Sequence, residues 1–296
     1  MKIFDCTTFY DENFILDLRF NILDKFVDRF VITESAYSHS GIKKKFNFDF
    51  SKFEKFKEKI IYIKIEEEPT DLIYKIVDGK KIEEEKDARS NSIKRIKYQR
   101  NKIIDGLNEA DDDDLIFYSD NDEIPNLDNF DKSKVNNEII IFKQKLFYYK
   151  FNLFCDRYEW FGTKGCKKKK FIDFHWLRNI KNKSYPFYRL DTFFSDTKYN
   201  NIKIINDGGW HFTQIKKAAQ IFEKFNNDEE HHQNKVAGIK LNDIEDYVKR
   251  KVIIYDHKAK SSAFKFKNEI KLITLDIKFM PEYIQKNILK YKDWLD

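Results

Sequence analysis

Residues 111–125 read DDDDLIFYSDNDEIP, and this stretch constrains the fold more than any other. Residues 115–119 have the apolar, β-prone character of a buried strand, so a core must be wrapped around them. Acids crowd both ends, and Asp120, Asp122 and Glu123 stand where the strand should stop. Carboxylates packed this closely repel one another and raise each other's pKa unless positive charge lies between them. The sequence therefore calls for positive charge at the end of a core strand.

Helix and strand patterns alternate around that stretch. Residues 3–9 read as a short strand or an extended lead-in, and from Glu12 onward Ile15, Leu18, Ile22 and Phe26 fall at helical spacing. Residues 30–34 (FVITE) and 60–65 (IIYIKI) read as buried strands. A helix is predicted over 91–107, with Ile93, Ile96, Ile103, Ile104 and Leu107 on one face. Arg100 points inward with that stripe; either its stem packs there and its head reaches water, or the head meets a buried acid or a phosphate. Residues 138–145 and 146–154 read as strands, 162–171 (GTKGCKKKKF) as a basic loop, and 202–205 as a strand. Thr213 is placed to cap a helix carrying Ile215, Ala218, Ala219 and Phe222. The alternation predicts an α/β sandwich with a mostly parallel central sheet flanked by helices. With no repeat or Pro-rich linker, 1–296 reads as a single domain, about 226–296 being a helical C-terminal extension packed on it.

A chain of 296 residues can bury a full core, and 41% apolar against 36% charged residues describes a globular protein with a heavily charged surface. The formal charge of +6 is too balanced for a dedicated nucleic-acid binder, so no nucleic-acid partner is expected. The lysines at 43–45 and 167–170 read as solvated surface, or as attraction to phosphate or an anionic membrane. Cys6, Cys155 and Cys166 are too scattered for a disulfide framework or a zinc site. With no legible signal peptide or membrane span, the expected location is cytoplasmic, with peripheral membrane contact through basic loops left open.

Open α/β sheets bind ligands beyond the carboxyl ends of their strands. If the backbone stays extended, Asp120 and Asp122 project to one side, a pair suited to Mg²⁺ or Mn²⁺ completed by substrate phosphates. The alternative is an Asp- and Asn-rich turn that needs no ion. A second constellation is NDGGWHF, 206–212. Gly209 permits close backbone approach to a ligand, while Trp210 is core or platform and His211 a structural residue or an Mn²⁺ ligand. His231 and His232 read as surface. No Walker loop, G-x-G-x-x-G, H-E-x-x-H or G-x-S-x-G is present.

Together these segments resemble glycosyltransferase family 17, which includes the β-1,4-mannosyl-glycoprotein N-acetylglucosaminyltransferase. DDDLIFYSDNDEIP (112–125) resembles its D-D-x-x-x-x-x-D-x-D-E-I-P signature and GGWHF (208–212) its G-W-H motif. Residues 9–35, 38–48, 98–107 and 280–295 resemble its opening helix and first core strand, its basic aromatic segment, the helix before the acidic strand, and its C-terminal helix. An all-lysine run after Gly41 replaces the family's Lys-Pro, and residues 155–200 match poorly.

The resemblance implies a GT-A-type nucleotide-binding fold. Asp120 and Asp122 would hold Mn²⁺ or Mg²⁺ and the donor diphosphate, joined by His211. Glu123 would orient the acidic loop or contact the sugar. Glu34, Ser35 and Tyr37 would meet the nucleotide, and Arg100 would approach the phosphates or balance the acids, with Gly209 and Trp210 alongside the substrate. The implied activity is metal-dependent, inverting transfer of a sugar, N-acetylglucosamine by resemblance, from a UDP-linked donor. The acceptor is a glycan or lipid-linked glycan, and the base stays open among Asp156, Glu159, Asp173 and Asp191. Two alternatives remain: a non-catalytic carbohydrate-binding protein on the same fold, and a metal-dependent phosphotransfer or nuclease enzyme.

Overall fold

The computed structural model describes residues 1–136, 138–227, 237–259 and 269–296. His231 and His232 lie outside the described residues. The chain opens β1 (Ile3–Phe9), α1 (Asn13–Leu23), β2 (Arg29–Ser35) and β3 (Ile60–Ile65), close to the elements the periodicity predicts. A small hairpin of β4 (Lys75–Val77) and β5 (Lys80–Ile82) precedes α2 (Glu85–Asn101). Then come β6 (Leu115–Tyr118), β7 (Glu123–Pro125), β8 (Ile139–Tyr148) and β9 (Leu153–Lys167). After α3 (Phe174–Asn179) follow β10 (Ile202–Ile205), β11 (Gly209–Thr213) and α4 (Ala218–Asn227). The C-terminal part contributes a helix over Leu241–Arg250, β12 (Ile273–Thr274) and short helices Glu282–Lys286 and Ile288–Tyr291.

The main sheet runs β3-β2-β1-β6-β9-β8-β11-β7, with β10 paired to β8 and β12 to β9. The first four strands are parallel, but β9 is antiparallel to both β6 and β8, and β7 to β11. The sheet is therefore mixed, not mostly parallel. The reason is the β8–β9 hairpin: a short turn over 149–152, with Tyr149 at a φ of 62°, reverses the chain and sends β9 back between β8 and β6. The predicted strand boundary near 145 falls inside β8, and the predicted loop over 162–171 is largely β9. Its glycines serve close packing, since a Cβ at Gly165 would lie 2.0 Å from the Phe117 ring.

The sheet must also curl. From β6 to β7 is four strand spacings, roughly 19 Å. Yet only residues 119–122 join them, and these turn, with the Glu123 N–H donating to the Asp120 carbonyl at 3.0 Å. Five residues fully extended reach about 17 Å. Only a sheet bent back on itself lets the edge strand β7 start beside the end of β6. Asp120 and Asp122 therefore flank a tight turn instead of an extended segment.

Leu115 and Phe117 pack with α1 on one face of the sheet, while Ile116 and Tyr118 pack with Ile103, Phe174 and Leu177 on the other. Two sequence-based helix readings shift phase. A 3₁₀ turn over Lys102–Gly106 ends α2 early and leaves Ile104 exposed, while Ile93 lies on the outer face of α2. The buried face of α2 is instead polar: Asn91, Arg95 and Gln99, four apart, bond to Ile73, to Glu68 and Glu83, and to the Phe9 and Thr33 carbonyls. Thr213 ends β11, and α4 begins at Ala218 rather than next to it.

One interaction pins the turn from inside. Arg19 is fully buried and forks onto Asp5, Nε to Oδ2 at 2.7 Å and Nη2 to Oδ1 at 2.6 Å. Nη2 also donates to Ser119 Oγ at 2.7 Å, and Nη1 to the carbonyls of Asp120, Asn121 and Glu123. Removing one partner of a buried pair strands the other charge. Arg19→Met is expected to lower the unfolding free energy by about 3–5 kcal/mol, read by chemical denaturation.

Candidate functional site

Beyond the carboxyl ends of β1 and β6 lies a cavity of roughly 450 Å³. Thr8 and Tyr10 line it from the end of β1, Asp120, Asp122 and Glu123 from the turn after β6, and Arg100 from α2. Arg178 enters from α3, His211 from β11 and Lys224 from α4. Alternation along β11 explains why His211 faces the cavity. Its neighbour Trp210 points into the core, and its Nε1 donates to the Phe279 carbonyl at 2.9 Å.

The structure identifies the positive charge that the acids require. Arg178 forks onto Glu123 at 2.7 and 2.8 Å and reaches Asp120 Oδ2 at 2.8 Å. Arg100 stands 3.4 Å from Asp120 Oδ1 and donates to the Tyr118 hydroxyl at 2.8 Å. Lys224 bridges Glu12 at 3.1 Å and Asp122 at 3.9 Å, and Lys216 adds a second cation at Glu12. Burial alone would raise the Asp120 carboxyl, but Arg178 and then Arg100 outweigh it and hold it well below the usual range. Glu12 behaves likewise, with burial overcome by Lys224 and Lys216. Asp122 is also lowered, His211 being the main counterweight to its burial.

Glu123 is buried and fully used. Beyond the Arg178 fork, it accepts from Trp160 Nε1 at 2.7 Å and from the Asp120 N–H at 3.0 Å. It holds Arg178 and the turn in place. Lys164, buried beneath α3, donates to the Arg178 carbonyl at 2.8 Å and to that of Ile180, so the end of this short helix is pinned too. Burial and the neighbouring Arg178 pull its amine down to about 7.

Asp120, Asp122, Glu123, Arg100 and His211 thus meet in one cavity. Glu34, Ser35, Gly209 and Trp210 do not line it. Glu34 is buried among Lys44, the N–H groups of Asn47 and Phe48, and the Tyr62 hydroxyl, where it organises the loop after β2. Ser35 accepts from the Tyr37 N–H at 3.1 Å. At Gly209, with a φ of 122°, a Cβ would collide with the Ile124 carbonyl at 2.1 Å, so this glycine serves the β11–β7 contact. None of Asp156, Glu159, Asp173 and Asp191 lines the cavity: Asp173 caps α3, Glu159 pairs with Lys143, and Asp191 pairs with Arg189 and Lys198.

A divalent ion can be tested against the donors present. Asp122 Oδ1 and His211 Nε2 converge at 3.5 Å, and His211 Nδ1 is buried with no partner among the described residues. Asp120 has both oxygens engaged by arginines, and among the described residues no three acid, His or Cys side chains form a ligand cluster. The donor set fits an ion held by Asp122 and His211 and completed by ligand oxygens, in the manner of Mg²⁺ and Mn²⁺.

The family model for glycosyltransferase family 17 matches residues 1–180, which carry the acidic strand and turn, Arg19, Arg100 and Arg178. The chain belongs to glycosyltransferase family 17. Among curated proteins none matches it. Solved structures similar to this chain include these two. HddC from Yersinia pseudotuberculosis shares 12% identity over 70% of this chain and 92% of that one, at a TM-score of 0.33. The inositol-1-phosphate CTP transferase from T. maritima shares 12% over 76% and 96%, at 0.35. Likenesses this distant carry no argument. His211, Lys224, Tyr255 and His257 line the same cavity from beyond the residues that the family 17 model matches.

Sequence reading missed Glu12, Arg178 and Lys224. Glu12 had a signal, because Asp11-Glu12 follows the end of β1 as Asp120 follows β6. Arg178 and Lys224 sit on no motif, and only the fold brings them in.

The cavity also holds two histidines in neutral form. Burial, reinforced by Arg100, lowers His39 from 6.5 to about 4, and burial with nearby His211 does the same to His257. Unfolded, both bind protons at a higher pH than when folded, so stability is present above about 6.5 and falls as the pH drops toward about 4. Denaturation across that window is expected to show the decline, and His257→Gln to flatten its slope.

Proposed function

We propose that this family 17 chain transfers a sugar from a nucleotide-linked donor to a glycan hydroxyl, with N-acetylglucosamine and UDP as donor parts by family resemblance, on a GT-A-type fold. The observation that carries this reading is the pairing of Asp122 with His211 beside an arginine-bound Asp120, in one cavity at the strand ends. Arg100, Arg178 and Lys224 fix the acids in place at the cavity, so the polar groups around a bound diphosphate would need no reorganisation during reaction. Asp122 and His211 would hold Mn²⁺ or Mg²⁺, whose chemistry is to neutralise charge on a departing phosphate. The acceptor oxygen attacks the anomeric carbon, the bond to the diphosphate oxygen breaks with its electron pair leaving on the diphosphate, and a carboxylate takes the hydroxyl proton. Attack opposite the leaving group inverts configuration. Glu123 acts here as a positioning residue, since the Arg178 fork and Trp160 occupy both of its oxygens.

Thermal shift with UDP, Mn²⁺ and both together tests the reading, followed by a panel of sugar nucleotides scored for hydrolysis without acceptor. Joint stabilisation exceeding the sum of the separate effects is expected, together with a preference for UDP-sugars. Asp122→Asn should abolish the joint effect and slow hydrolysis roughly hundredfold. Unchanged behaviour in that variant, or stabilisation by DNA in place of UDP, would overturn it.

A further inference from the structure

Beyond α3 the chain makes a two-legged loop over 181–199. The legs are joined by the Lys181 N–H to the Thr197 carbonyl at 2.8 Å and the Tyr185 N–H to the Tyr199 carbonyl at 2.9 Å. Trp176 of α3 clamps the base through Nε1 to the Asp196 carbonyl at 2.6 Å. The tip carries Phe187, Tyr188, Leu190, Phe193 and Phe194, each between 67% and 91% exposed. Apolar side chains exposed singly are ordinary, but a contiguous run of large ones marks an interaction site. Phe187 and Tyr188 meet edge to face at 5.7 Å between ring centres, and among the described residues no ring contact ties any of Phe187, Tyr188, Phe193 and Phe194 to the body.

The loop's charge indicates what covers this tip. Lys181, Lys183, Arg189 and Lys198 outnumber Asp191 and Asp196; Asp191 pairs with Arg189 and Lys198, and Lys181 and Lys183 carry the rest of the excess. Exposed aromatic rings among basic side chains match the chemistry of a bilayer interface, where rings sit at headgroup depth and cations meet lipid phosphates. A loop tip offers no shaped groove for a protein partner, whereas lipid needs none. No helix among the described residues is long and apolar enough to cross a membrane, so contact of this kind is peripheral.

We propose that the 181–199 loop seats the protein on an anionic lipid bilayer, its aromatic tip entering the interface and its basic residues facing the headgroups. At 167–170, Lys167 and Lys169 pair with Asp113 and Lys170 with Glu138, and that run carries no aromatic ring to enter the interface. Because α3 carries Arg178 and leads directly into the loop, docking holds the cavity beside the membrane, where a lipid-linked acceptor would lie. That last consequence rests on the transferase reading; the docking itself does not.

Cosedimentation of the full chain with phosphatidylcholine vesicles, with and without phosphatidylserine, tests the proposal in the absence of donor. Binding to the serine-lipid vesicles is expected, weakened by salt, and reduced about tenfold or more in the Phe193→Ser, Phe194→Ser double variant. Both side chains are exposed, so its circular dichroism and melting temperature should match the parent. Lys167→Gln with Lys169→Gln should bind as the parent does. Absence of vesicle binding, full binding by the phenylalanine double variant, or a loop-dependent dimer that ignores vesicles would each overturn the proposal. Since no nucleotide is present, such a failure leaves the transferase reading standing.

Discussion

A single buried guanidinium decides where the acidic turn lies. Arg19 is held by Asp5 on β1 and spends its remaining N–H groups on Ser119 and three carbonyls of residues 120–123. An unpaired arginine in that position would be prohibitively costly, so the Asp5 fork and the turn must form together. This couples the end of β6 to the interior of α1. It also fixes the crossing at which the curled sheet brings β11 alongside: the Phe212 N–H donates to the Asp122 carbonyl at 2.8 Å, and His211 lies opposite Glu123 in the β11–β7 register.

From that anchor the electrostatics of the cavity follow. Asp120, Asp122, Glu123 and Glu12 face Arg100, Arg178, Lys216 and Lys224, so the acids are balanced by the protein itself. The two aspartates of the turn then differ in kind. Asp120 is bound to arginines on both oxygens, whereas Asp122 faces an imidazole and the edge of an ammonium. A pair that looks symmetric in sequence becomes one carboxylate that orients cations and one with coordination to spare.

The local pattern carried β1, β2, β3 and β6, because their residues are buried by simple rules of hydrophobic run and strand length. It also placed Asp120 and Asp122 just past the end of a core strand, where ligands gather, but not the strand β11 that carries His211 in its middle. What it could not carry was pairing direction. Nothing in the run Ile139–Tyr148 says that the next strand returns antiparallel, since that depends on the turn at Tyr149 and on glycines of β9 clearing space for Phe117 and Gln144. The polar face of α2 was hidden for another reason. Arg95 and Gln99 are buried only because Glu68, Glu83 and the carbonyls of Phe9 and Thr33 await them, partners remote in sequence. Arg178 was illegible on the same ground.

The cavity wall is built on separate foundations. The turn, Arg100 and Arg178 rest on the packing of β1, β6, α1 and α3. Tyr255 and His257, across the cavity, stand on a distinct cluster in which Ile221, Phe225, Ile244, Ile253 and Ile254 pack around Tyr148 and Tyr149. His257 bonds to the Tyr148 hydroxyl and packs against Trp160, which in turn lies tilted against His211 at 4.4 Å between ring centres and bonds to Glu123. The two foundations meet at Trp160 and again at Lys224, which α4 carries from the second cluster to Glu12 and Asp122. Substitutions inside the second cluster therefore reach the turn, through Lys224 to Asp122 and through Trp160 to Glu123, whereas the Arg19 fork onto Asp5 rests wholly on the first foundation.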